Sequence, residues 1–167
     1  MQWGVRIIGI GCFGFVVLLA ATVEVFAACP QAGVSLMVET ATHQMVLCKE
    51  GQSQGQYMVA LGSGGVDKFQ EGDKKTPLGE YDLGEPRPSN KFTLFIPVGY
   101  PTERQRNEGR TGSEIGVHGP PWMWRWLGDL TTWKDWTKGC IAVGTVGAIQ
   151  EISEWVRREH ATRIILR

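Results

Sequence analysis

Short apolar runs, separated by turns rich in glycine, proline and polar residues, dominate the chain beyond its N-terminal segment. The runs are rich in β-branched and aromatic residues, which is typical of strands on a half-buried sheet. Residues 40–43 lie between the first two runs and predict a hairpin. Short strands joined by such turns indicate a mainly β domain. The predicted strands are 34–38, 44–47, 57–61, 78–83, 92–98, 115–118, 141–143 and 163–166.

One segment near the C-terminus has helical periodicity instead. Ile149, Ile152 and Val156 recur at three- and four-residue spacing, which places them on one face of a helix. Thr145 precedes them and can cap the first turn. The pattern predicts a helix over 146–158, and we expect one or two short helices in all. The segments predicted as turns or loops are 62–76, 86–90, 101–113 and 120–136.

The first 27 residues have the pattern of an export signal. Arg6 precedes an apolar run over 7–23, and residues 25–27 place small side chains at the two cleavage positions. We expect cleavage after Ala27 and export to the periplasm or cell envelope. The apolar run is also close to the length of a membrane span, so an uncleaved anchor is an alternative. Residues 26–29 faintly resemble a lipoprotein signal as well.

Composition narrows the function classes. The chain has 167 residues, enough for one domain with a real core, and 17 basic residues balance 17 acidic ones. A neutral chain lacks the basic surface of a nucleic-acid-binding protein. The three histidines are dispersed without the spacing of metal ligands, so we predict no metal site. Of these, His43 and His160 are predicted to be ordinary surface residues.

Cys140 is the strongest candidate for chemistry. A thiol has an ordinary pKa of about 8.5 and needs a base to react near neutral pH. His118, in a short predicted strand upstream, supplies an imidazole, the usual base. Gly139 precedes Cys140, and a small residue there lets backbone N–H groups approach a developing oxyanion. The pattern therefore predicts an acyl-transfer site with a cysteine nucleophile.

Two motifs in this order resemble a known family. Gly-x-His-Gly at 116–119, followed after a spacer by Thr-x-Gly-Cys-Ile-x-Val at 137–143, is similar to the L,D-transpeptidase catalytic domain (YkuD-type). The longer stretch 135–143 resembles a murein L,D-transpeptidase subgroup, and 76–81 resembles the family's Thr-Pro-x-Gly-x-Tyr/Phe segment. The resemblance covers 34–167. It implies a mainly β, L,D-transpeptidase-like sandwich or barrel, preceded by the N-terminal signal helix.

The resemblance also implies roles for the site residues. Cys140 would be the nucleophile and His118 the general base, with the backbone carbonyl of Gly119 orienting the ring and backbone N–H groups at Gly139 and Cys140 holding the oxyanion. The substrates would be peptidoglycan stem peptides, joined through a cysteine thioester in cell-wall biogenesis and cell shape, without a cofactor. A hydrolase of the same fold would use the same residues with water as acceptor. A non-catalytic wall-binding module is a third alternative.

The residues around Cys140 leave further expectations open. Thr137, Asp135 and Trp136 are expected to support the cysteine loop. Lys138 replaces a histidine of the common motif and either assists the thiol or points to solvent, and Ala142 replaces an arginine found in many members. The candidates for substrate binding are Trp122, Trp124, Trp126 and Lys138. The tryptophans would either line a sugar-peptide substrate or simply pack against the domain.

Export would also change which cysteines remain in the chain and whether they pair. With Cys12 inside the signal, Cys29, Cys48 and Cys140 remain. In an oxidising compartment Cys29 and Cys48 are the natural pair if Cys140 is the nucleophile. The alternative is that all three stay reduced and Cys48 is a small buried apolar residue.

Overall fold

The computed structural model describes residues 29–167, and the predicted signal segment 1–27 lies outside them. Strands dominate this part of the chain, which confirms the mainly β prediction. The strands are β1 Val34–Glu39, β2 Gln44–Lys49, β3 Gln52–Ala60, β4 Gly79–Asp82, β5 Arg87–Ser89, β6 Thr93–Pro97, β7 Gly116–His118, β8 Ile141–Val143 and β9 Arg163–Leu166. The helices are α1 Glu103–Asn107, a 3₁₀ segment Trp122–Thr132 and α2 Val146–Glu159.

All nine strands join one curled sheet, a half-barrel, in the order β4-β9-β1-β2-β3-β8-β7-β6-β5. Most neighbours are antiparallel, but β1 pairs with β9 and β7 pairs with β8 in parallel. In the second of these pairs, Val117 opposes Ile141 and His118 opposes Ala142. This pairing brings the two candidate catalytic segments to neighbouring strands.

Helix α2 closes the core. Ile149, Ile152 and Val156 are buried and belong to the main apolar cluster, as the helical spacing predicted. Thr145 caps the helix, since its hydroxyl oxygen accepts the Ala148 N–H at 3.0 Å. The helix ends at His160, whose left-handed backbone (φ 53°, ψ 44°) stops it.

Three elements differ from the sequence prediction. Strand β5 lies in a predicted turn; it is the last strand of the sheet, and an edge strand tolerates Pro88, which has no N–H. Helix α1 lies in the predicted loop 101–113, where Thr102 and Gln105 form a reciprocal capping box. The predicted loop 120–136 contains the 3₁₀ segment, broken by Gly128.

A disulfide joins Cys29 to Cys48, so the reduced alternative is wrong. Its sulfurs lie in a second apolar cluster with Met37 and Val46. Within residues 29–167, Cys140 is then the one free thiol. No helix in this part of the chain is both long and apolar enough to cross a membrane.

Candidate active site

Cys140 and His118 share one face of the sheet. His118 ends β7, and its register partner Ala142 lies two residues after Cys140. Side chains two residues apart in an extended chain point the same way. Both residues line a cleft of about 700 Å³, which we call the main cleft. The expected juxtaposition of thiol and imidazole therefore follows from the parallel β7–β8 pairing.

The imidazole of His118 is held as a neutral base. Its Nδ1 lies 2.7 Å from the Gly119 carbonyl oxygen. A carbonyl only accepts, so Nδ1 carries the proton and Nε2 keeps its lone pair. The ring is 1 % exposed, stacked on Phe92 with centroids 3.7 Å apart and contacted by Trp136 at 5.7 Å. This burial lowers the pKa of His118 to about 4, the Gly119 hydrogen bond opposes the shift, and the positive charge of Lys91 adds to it.

The thiol of Cys140 is protonated at rest. Sγ donates to the Glu114 carbonyl oxygen at 3.3 Å. Burial raises the pKa of the thiol, and the negative charge of Glu114 adds to this. The Gly116 N–H and the charges of Lys91 and Lys68 act in the opposite direction. No hydrogen bond joins Sγ to His118 among the described residues, so the thiol must turn from Glu114 before it reaches the ring.

Thr137 organises the loop before Cys140. It is 2 % exposed, and its N–H donates to the Leu61 carbonyl at 3.0 Å. Its hydroxyl donates to the Cys140 carbonyl at 2.7 Å and accepts the Gly139 N–H at 3.0 Å. The Gly139 N–H, expected to face the oxyanion, is thus already bonded inside the loop.

Gly139 has a different role. Its φ is +123°, and a Cβ there would lie 2.6 Å from the Lys75 carbonyl oxygen. A larger residue would push the cysteine loop away from the 62–76 loop. Gly139 therefore allows a close approach of two loops, and of the two expected oxyanion donors the Cys140 N–H is the one without a hydrogen bond inside the loop.

Asp135 and Trp136 tie the cysteine loop to the rest of the domain. Asp135 accepts the Leu61 N–H at 2.7 Å and contacts His43 Nε2 at 3.1 Å. His43 is at the surface, as predicted, but the hairpin turn also brings it to Asp135, a contact that was not predicted. The Trp136 indole N–H donates to the Thr131 carbonyl at 2.9 Å. His160 is exposed, as predicted.

The structure separates the predicted substrate-binding tryptophans. Trp124 lines the main cleft and meets Trp136 edge-on, with centroids 4.9 Å apart. Trp122 and Trp126 do not line it and are 66 % and 81 % exposed. Lys138 is exposed and lines the cleft, while Ala142 is buried and does not line it.

Cys140 also borders a second cleft of about 410 Å³, lined among others by Arg87, Asn90 and Phe95. The two clefts share Phe92, Glu114 and Cys140. Sequence reasoning missed the contributions of Phe92, Lys91 and Glu114, since no motif residue marks them. For Gly116, the Gly-x-His motif could have indicated that glycine is required. A Cβ there would lie 2.3 Å from Phe95 Cζ, so only glycine fits beside the thiol.

The chain also matches a known family. The family model of the L,D-transpeptidase catalytic domain (YkuD) matches residues 33–165. No curated protein matches the sequence.

Solved structures share the fold at low sequence identity. The helical cell shape determining protein Pgp2 from Campylobacter jejuni superposes with a TM-score of 0.67 at 20% identity, covering 81% of this chain and 47% of that one. Bd1075 from Bdellovibrio bacteriovorus gives 0.59 at 22% identity, covering 81% and 48%. An L,D-transpeptidase from Mycobacterium tuberculosis gives 0.51 at 15% identity, covering 81% and 57%. The chain thus spans about half the length of the first two.

Proposed function

The chain belongs to the L,D-transpeptidase catalytic-domain family, and from that membership we propose that it is an exported cysteine acyltransferase acting on peptidoglycan stem peptides. The observation that carries the proposal is the position of Cys140. Its thiol lies on the same face of the sheet as a neutral, backbone-oriented imidazole and opens onto two clefts.

The first half of the reaction forms a thioester. The Cys140 side chain turns from Glu114 towards His118, and sulfur attacks an amide carbonyl that follows an L-configured centre. The thiol proton passes to His118 Nε2 as the C–S bond forms, and the Cys140 N–H stabilises the oxyanion. His118 then gives this proton to the leaving amine as the C–N bond breaks.

The second half consumes the thioester. An acceptor amine attacks the acyl carbon and loses a proton to His118; the new amide forms as the C–S bond breaks, and His118 returns the proton to the Cys140 sulfur. Because Cys140 borders both clefts, a donor peptide in one leaves the other for the acceptor amine. The second cleft supports the proposal of transfer to an amine, because it offers an acceptor peptide room beside the thioester. The likeness to Pgp2, which is named for determining cell shape, supports a role in shaping the wall.

Digestion of purified murein with the exported chain tests the proposal. Mass spectrometry should show new peptide crosslinks or attachments with wild-type protein and none with Cys140→Ala. Trimmed stem peptides without new crosslinks would instead support the hydrolase alternative. Unchanged murein together with wall binding would support the non-catalytic module.

Covalent labelling identifies the nucleophile separately. A carbapenem, which mimics an acyl donor in this family, should add to Cys140 in wild-type protein. No other free thiol lies within residues 29–167, so Cys140→Ala should remain unlabelled. Labelling of Cys140→Ala would refute the assignment.

A further inference from the structure

Six of the eight large hydrophobic side chains that are exposed on residues 29–167 lie in one short stretch of the chain. We call residues 122–133 the tryptophan segment. Its exposed apolar members are Trp122, Met123, Trp124, Trp126, Leu130 and Trp133. Exposed apolar patches on soluble domains are usually small, so this concentration points to a surface that contacts a partner.

The 3₁₀ geometry places these side chains on different faces of the segment. Residues three apart lie above one another, because the 3₁₀ helix has three residues per turn. Trp124 faces the domain and lines the main cleft. Met123 and Trp126 share a second face, which runs from the edge of this cleft to open solvent. Leu130 and Trp133 repeat the spacing, and Trp133 is 90 % exposed.

The chemistry of these two exposed rows favours lipid over sugar. Each row pairs an indole with an apolar, flexible neighbour, Met123 with Trp126 and Leu130 with Trp133. Indole rings concentrate at the level of the lipid headgroups, and apolar neighbours gain by burial at the edge of the acyl chains. A sugar ring can also stack on an indole, but its hydroxyls need hydrogen-bonding groups beside the ring. Neither methionine nor leucine supplies such a donor.

The charges of this surface complement an anionic bilayer. Arg125 lies within the tryptophan segment and Lys134 directly follows it, and both are exposed. Neither forms an ion pair with an acidic residue of the described part of the chain. Asp129 is the one acidic residue among residues 122–134. Basic side chains near an anionic membrane surface strengthen binding to it.

We propose that the tryptophan segment docks on the surface of a bilayer that contains anionic phospholipid, with Trp126 and Trp133 in the headgroup layer. Arg125 and Lys134 meet the lipid phosphates. The segment lies on the membrane in the manner of an interfacial helix. Because Trp124 belongs to the same segment and lines the main cleft, docking places the opening of the cleft beside the bilayer. The lipid contact is independent of the reaction at Cys140.

Cosedimentation with vesicles tests this docking. The exported chain, cleaved after Ala27, is used because the apolar run 7–23 would bind lipid by itself. Wild-type protein should sediment with vesicles of phosphatidylcholine and phosphatidylglycerol, and more weakly with phosphatidylcholine alone. Added salt should reduce the difference between the two. Failure to sediment with either vesicle overturns the proposal, and equal binding to both overturns the anionic lipid as ligand.

Four variants and a matched control locate the contact. Trp126→Ala and Trp133→Ala should each lower the affinity for both vesicles about tenfold, the effect of withdrawing a partly buried indole. Arg125→Gln and Lys134→Gln should each lower it about fivefold for the anionic vesicles only. Phe69→Ala removes an exposed aromatic ring from outside the segment and should bind like wild type. Unchanged affinity in both tryptophan variants overturns the proposal.

Further measurements separate lipid from other occupants of the same surface. Lipids brominated near the headgroup should quench tryptophan fluorescence in wild-type protein, and less so in Trp126→Ala and Trp133→Ala. Sedimentation with purified murein, and sedimentation velocity of the protein alone, test a glycan and a second copy of the chain. If the tryptophan variants lose murein binding or self-association while wild-type protein ignores vesicles, the surface has that other occupant and the proposal is overturned.

Discussion

Replacing His118 with glutamine should remove most of the pH sensitivity of folding between neutral and mildly acidic pH. The imidazole is 1 % exposed, and its burial lowers its pKa from 6.5 to about 4. Because the folded-state pKa lies below the unfolded-state pKa, the unfolded chain binds more protons between these values. Stability is therefore present at neutral pH and is lost as pH falls through this window.

The size of the effect follows from the two pKa values. Between pH 7.5 and pH 5.0, a histidine that shifts from 6.5 to 4 on folding costs the native state about 2 kcal/mol. For a chain of this size, that corresponds to about 4–8 °C in Tm. The carboxyl of Asp73 adds almost nothing here. Although burial raises its pKa, hydrogen bonds from Lys68 and from backbone N–H groups lower it further, so it titrates only at more acidic pH.

Urea unfolding at both pH values measures the effect. The free energy of unfolding of wild-type protein should fall by about 2 kcal/mol more than that of His118→Gln. The comparison uses each protein's change with pH, so an overall destabilisation of His118→Gln does not affect it. His160→Asn, an exposed position that tolerates the left-handed backbone, should follow wild type. A fall in His118→Gln that parallels wild type would refute the buried neutral imidazole.

The remaining predictions concern the loop, the disulfide and the thiol. Thr137→Val should destabilise the domain by about 2–4 kcal/mol, because it unpairs the Gly139 N–H and the Cys140 carbonyl; Thr137→Ser, which keeps the hydroxyl, should lose much less in the same unfolding assay. Reducing the Cys29–Cys48 bond, which spans 19 residues, should cost about 3 kcal/mol in unfolding free energy, and an unchanged urea midpoint would contradict this. Lys91→Gln should move the iodoacetamide titration of Cys140 to higher pH, whereas Lys138→Gln should leave it unchanged.

The strands could be predicted from the sequence because the apolar residues of each strand, alternating or continuous, are the ones that become buried. The association of Cys140 with His118 was predicted from the residue types and the motif resemblance, but the parallel pairing of residues 116–118 with 141–143 was not, since nothing local specifies it. Helix α1 had a local signal that went unused: the Thr102-x-x-Gln105 spacing is a capping box. In contrast, β5 is a strand only because β6 pairs with it.

Contacts between loops that are far apart in the chain could not be predicted from the sequence. His43 meets Asp135 across 92 positions of the chain, and both residues look like ordinary polar loop residues when read alone. Lys91 and Phe92 follow the predicted turn 86–90, and nothing in their own sequence places Phe92 on His118 or Lys91 on Phe92.

The length of the segment between His118 and Cys140 follows from the sheet topology, and this segment also affects the environment of His118. Parallel strands need a long crossover, because the chain must return from the end of β7 to the start of β8. The residues between His118 and Cys140 make this crossover, and they carry Trp124 and Trp136 into the main cleft, where Trp136 contacts the His118 ring. The crossover therefore contributes to the burial that keeps His118 neutral at physiological pH.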